Sequence, residues 1–95
     1  MSHPGEGAVE QLFRAQAWNK CTEATNIISE ACKLAKKTEE GKGLVNSQLK
    51  AMVSGYATKN NSECLAECVA DYVANGENAS ILSKEVWKIL KGKLG

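Results

Sequence analysis

Gly43-Leu44-Val45-Asn46-Ser47-Gln48-Leu49-Lys50-Ala51-Met52-Val53-Ser54-Gly55 has the pattern of a short amphipathic helix. The pattern returns thirty-seven residues on as Ser80-Ile81-Leu82-Ser83-Lys84-Glu85-Val86-Trp87-Lys88-Ile89-Leu90-Lys91-Gly92. Apolar residues coincide at Leu44/Ile81, Val45/Leu82, Leu49/Val86, Met52/Ile89 and Val53/Leu90, and both copies close on a glycine, as a helix and its stop would. The same shift superposes Ile28, Ala31, Cys32 and Ala35 on Leu65, Cys68, Val69 and Tyr72. Each unit then reads as a helix, a loop and a second helix, and two such hairpins can close a core that one cannot. Any two amphipathic hairpins of like length align in this way, so duplication and a plain bundle both stay open at this point.

Outward from the repeat, the chain stays helical in character. Pro4 is the only proline, so nothing after it forces a helix to break. Residues 1–7 form a glycine-rich tail containing His3, the only histidine. From Ala8 to Thr38 an apolar stripe runs through Phe13, Ala17, Cys21, Ala24, Ile28, Ala31 and Ala35 at steps of three and four. A break or bend is expected at Thr25-Asn26, the weakest helix-forming point of that run, which sets an extra N-terminal helix apart from the repeat. Glu39 to Gly43 is a turn. Ser62 is the expected N-cap of the next helix, with Leu65, Cys68, Val69, Tyr72 and Val73 on its inner face and Asn75-Gly76 as its stop. Ser80 or Ser83 caps the last helix, which should end at Gly92. The expected fold is all-α: one domain of four or five helices spanning residues 8–95, two similar hairpins plus the N-terminal helix.

Ninety-five residues with 43% apolar and 24% charged content make one ordinary globular domain. A net charge of +1 and an aromatic content of 5% argue against nucleic acid as a partner. The charge is segregated: residues 41–61 hold lysines and no acid, 62–78 hold acids and no base, and 79–95 are lysine-rich. Oppositely charged helices packing as neighbours explain this most simply. The lysines of the last helix also suit an anionic membrane surface, a second and weaker reading. No apolar run is long enough to span a membrane and no apolar leader stands at the N-terminus, so a cytoplasmic location is expected, with a secreted form as the alternative.

The hairpins resemble a pair of EF-hands, as in one lobe of calmodulin or a myosin light chain. The resemblance rests on Leu65, Cys68, Val69, Tyr72, Ile81, Glu85, Val86, Ile89 and Leu90 in the second unit. In the first it rests on Ile28, Ala31, Cys32, Ala35, Leu44, Gln48, Leu49, Met52 and Val53. It implies helix–loop–helix units and a groove that grips a partner helix. Calcium needs six to eight oxygens, and the loops depart from that pattern. The first ends in Gln48, and the second offers only Asn75, Glu77, Asn78 and Glu85 as weak metal candidates. Loss of calcium binding is therefore expected.

The cysteines Cys21, Cys32, Cys64 and Cys68 all lie on or beside apolar stripes, which favours buried thiols. A disulfide and a soft-metal pair at Cys64 and Cys68 are the other readings. On straight helices Cys21 and Cys32 stand about 16 Å apart but Cys64 and Cys68 about 6 Å, so two packed helices cannot match both pairs. With His3 in the tail, a cysteine nucleophile has no evident base. The expected function is a non-enzymatic interaction module without cofactor. It would bury apolar residues of another protein's helical or extended segment in a groove lined by Leu49, Met52, Val53, Val86, Ile89 and Leu90, with Trp87 as a contact residue. The alternative is a secreted, disulfide-linked helical protein that binds an apolar ligand or a membrane surface.

Overall fold

The inward stripe Ala24, Ile27, Ile28, Ala31, Cys32 and Ala35 builds the first helix. A computed structural model describes residues 21–94, with side chains from Glu23 to Lys93. The tail with His3, the helix expected before residue 21, Trp18 and the Cys21 thiol lie outside the described residues. Helix α1 spans Cys21–Lys36, α2 Asn46–Val53, α3 Asn61–Asn75 and α4 Ile81–Leu94, with short 3-10 turns at Tyr56–Thr58 and Gly76–Asn78. Helix accounts for 79% of the structure and no strand occurs among the described residues. The domain is all-α.

Helix α1 runs through Thr25 and Asn26 without the expected break. Both side chains are exposed, while Ala24, Ile27 and Ile28 around them are buried. Burial of three neighbours outweighs the few tenths of a kcal/mol that weak local propensity costs. Its last turn tightens as Thr38 Oγ1 donates to the Ala35 carbonyl at 2.6 Å and accepts from Gly41 N at 3.1 Å. This draws Gly41 onto the end of α1, where an added Cβ would overlap the Ala35 carbonyl. Gly41→Ala is therefore expected to cost about 1–3 kcal/mol, the range for overpacking, read as a lower urea midpoint at unchanged m-value. An unchanged midpoint would mean that this turn is loose. Gly43, with φ 81°, completes the turn in a conformation that glycine adopts without strain.

Glycine stops α3 but not the other helices. Gly76 takes φ 58° at the end of α3, as expected. Helix α2 ends at Val53, and its C-cap is Ser54, whose backbone is extended, rather than Gly55. Ser54 Oγ donates to Glu67 Oε1 at 2.7 Å and accepts from Ala57 N at 3.2 Å, so a side-chain network turns the chain there. Helix α4 continues through Gly92 to Leu94, because glycine permits a left-handed turn without demanding one. The N-cap of α3 is Asn60 rather than Ser62: its side chain accepts from Glu63 N at 2.8 Å. Asn61, next in line, donates to Thr25 Oγ1 at 3.1 Å and accepts from Lys50 Nζ at 2.9 Å. That ties α1, α2 and α3 together at one end.

One core joins all four helices. It takes the α1 stripe, Leu49 of α2, Ala57, the row Cys64, Leu65, Cys68 and Val69 of α3, and Ile81, Leu82, Val86, Trp87 and Leu90 of α4. Val73, expected on the inner face of α3, is exposed, since the helix turns that position away before its end.

Candidate functional site

The residues expected to line a groove are mostly consumed by this core. Leu49, Val86 and Leu90 are buried, Val53 and Ile89 are half-buried against them, and Met52 alone stands 50% exposed. Trp87, expected to be a surface contact, is 3% exposed and stacks on Tyr72 with ring centroids 4.6 Å apart. An amphipathic stripe looks the same in sequence whether it faces a partner or its own domain. A short α2 leaves the core to be completed from α4.

The weak metal candidates are engaged elsewhere. Asn75 Nδ2 donates to Asp71 Oδ1 at 2.7 Å, and Glu77 Oε2 accepts from the Tyr72 hydroxyl at 2.9 Å. Glu85, buried, accepts from Lys88 Nζ at 3.2 Å, and Asn78 is exposed. Among the described residues no group of three or more histidine, cysteine or carboxylate side chains is placed to hold a metal ion.

Two polar features of α3 face inward, and sequence reasoning had found only one of them. The first is Asp71. Its Oδ2 accepts from Ser80 N at 3.0 Å and from Ser83 Oγ at 2.7 Å, and Ser80 Oγ, 3.0 Å from Ser83 Oγ, accepts weakly from Ser83 N at 3.4 Å. Ser83 is wholly buried. A carboxylate and a serine thus cap the N-terminus of α4, where unpaired N–H groups and the helix dipole favour negative charge. Burial pushes the Asp71 carboxyl up, but hydrogen bonds from Ser83, Ser80 and Asn75 outweigh it and hold the group below the usual carboxylate range. Nothing in the spacing of Asp71 and Ser80 marks this cap, though a serine pair at the start of a helix hinted at one.

The second feature is a set of thiols. Cys32, Cys64 and Cys68 are free and buried. Cys64 and Cys68 perturb each other: the neighbouring Cys68 thiol draws Cys64 down, with Lys50 assisting against burial, and Cys64 together with burial pushes Cys68 up. Cys32 is raised, chiefly by burial and then by Cys64 beside it.

The outer surface carries a different signal. Val45 (56% exposed), Met52 and Tyr56 (61%) lie along and just beyond α2. Val45 is the extended residue that caps the start of α2, and Met52 lies in the last turn of that helix. Gln48 between them accepts from Val45 N at 2.9 Å, and Lys59 Nζ sits 4.7 Å over the Tyr56 ring. The chain matches no known protein-family model, no curated protein and no solved structure.

Proposed function

We propose that the chain is a non-enzymatic interaction module that holds a helical or extended segment of another protein in the cytoplasm. The exposed apolar side chains of Val45, Met52 and Tyr56 carry this reading. They cluster around one short helix, while the larger apolar residues of α1 and α4 are turned inward. The contact surface is then the outer side of α2 with its half-buried edge at Val53, rather than the groove expected between the hairpins. Methionine adapts to an irregular partner surface, and tyrosine offers area with a polar tip. In this reading the two hairpins are copies of one EF-hand-type unit that has lost its calcium ligands. The duplication draws support from matched burial at Ile28/Leu65, Ala31/Cys68 and Leu49/Val86. Divergence at Val45/Leu82 and Met52/Ile89 is where the first copy would have acquired its outward face.

Cross-linking and recovery from the native source, followed by affinity measurement with the recovered partner, test this. Met52→Asp and Tyr56→Asp alter exposed positions, so each should change stability by no more than about 0.5 kcal/mol. Each should weaken partner binding about tenfold or more, equivalent to about 1.4 kcal/mol. A partner held equally well by both variants, or recovery of none, would overturn the proposal.

A further inference from the structure

Cys64 and Cys68 stand one turn apart on α3, both wholly buried on the face turned to the core. Residues at this spacing on a helix have neighbouring side chains, with Cβ atoms about 5–6 Å apart, and each of the two thiols perturbs the other. We propose that Cys64 and Cys68 form a binding site for one soft monovalent cation of the copper(I) class, held between the two sulfurs.

The chemistry of the ligands selects the ion. Thiolate sulfur is soft and favours copper(I), whereas zinc requires a closed set of four ligands in a structural site. The described residues hold no cluster of three or more donors, which leaves an ion content with two. On binding, two S–H bonds break and two sulfur–metal bonds form. Both protons leave to solvent, no electron is transferred, and the bound unit carries one net negative charge. Lys50 offsets that charge: its Nζ lies 2.9 Å from Asn61 Oδ1, one turn before Cys64, where it also bears on the Cys64 sulfur. Cys64 lies in the first turn of α3, with its amide bonded to the Asn60 carbonyl, so an ion enters only when that turn opens locally.

The test uses the reduced full chain without oxygen, titrated with copper(I) against a chromophoric copper(I) chelator. Cys21→Ser serves as the background, because that thiol lies outside the described residues. One ion per chain is expected. Cys64→Ala and Cys68→Ala should each lose more than the about 100-fold that loss of a supporting partner costs a metal site, while Cys32→Ala keeps the site. X-ray absorption of the copper-loaded background protein should show two sulfur neighbours, a readout that does not depend on how the alanine variants fold. Affinity unchanged in Cys64→Ala or Cys68→Ala, affinity lost in Cys32→Ala, or a coordination shell other than two sulfurs would overturn the site.

Discussion

Trp87→Ala is expected to destabilise the domain by about 3–5 kcal/mol, the range for truncating a buried large aromatic. The ring is 3% exposed and lies in the core with Val86, Leu90 and Leu82 of its own helix. Its near-parallel stack on Tyr72, with an interplanar angle of 16°, adds about 0.5–1.5 kcal/mol beyond the area it buries. A chain of this length has roughly 5–14 kcal/mol of stability in total, at about 0.05–0.15 kcal/mol per residue. The loss therefore removes a large share of the whole. Urea unfolding followed by far-ultraviolet circular dichroism measures it, and Trp87→Phe, which keeps a ring for Tyr72 to stack on, should recover about half of the loss or more. A cost below about 1 kcal/mol for Trp87→Ala would fit a surface position and return Trp87 to the contact role that its sequence neighbourhood suggested.

Why that role looked reasonable in the sequence explains what was legible and what was not. The stripe of α1 and the row Leu65, Cys68 and Val69 could be read because spacing of three and four has one physical meaning, a helix with an inside. Gly76 could be read as a stop because asparagine followed by glycine suits the left-handed turn. The limits of α2 and α4 were less legible because Gly55 and Gly92 only permit a stop. The actual end of α2 depends on Ser54 meeting Glu67 thirteen positions away. Thr25 and Asn26 misled because local propensity is worth tenths of a kcal/mol against the burial of whole side chains. The expected groove failed for a related reason. Periodicity says that Leu49, Val86 and Leu90 face something, and only the tertiary arrangement says that it is the domain itself. Exposure of Met52 and Tyr56, and the union of Asp71 with Ser83 across a helix junction, are likewise facts of tertiary placement.

Removing the Asp71 carboxylate should cost about 2–3 kcal/mol at neutral pH, and the cost should shrink in acid. Asp71→Ala removes the 2.7 Å acceptor of the Ser83 hydroxyl, which is buried at 0% exposure and keeps only Ser80 Oγ at 3.0 Å, and removes the side-chain acceptor of Ser80 N. A hydrogen bond to a charged group is worth about 1.5–3 kcal/mol, and loss of an N-terminal cap costs about 0.5–2 kcal/mol. The two overlap at this junction and do not simply add. The carboxyl is held below its ordinary value by its hydrogen bonds, despite the opposing pull of burial. The folded state therefore binds this proton less readily than the unfolded state, whose value is about 3.9. The stabilisation is fully present above that unfolded value and is lost as pH falls through the lower, folded one. Wild type and Asp71→Ala should differ most at pH 7 and converge from about pH 4 downward. The other carboxylates titrate in both proteins and largely cancel from the difference. Ser83→Ala provides the control: it removes one hydrogen bond while the carboxylate keeps Ser80 N and Asn75, so its smaller cost should still depend on acid. A gap between wild type and Asp71→Ala that stays constant from pH 7 to about pH 2 would mean that Asp71 acts through packing alone, because only a charged carboxylate gives the cap a pH dependence.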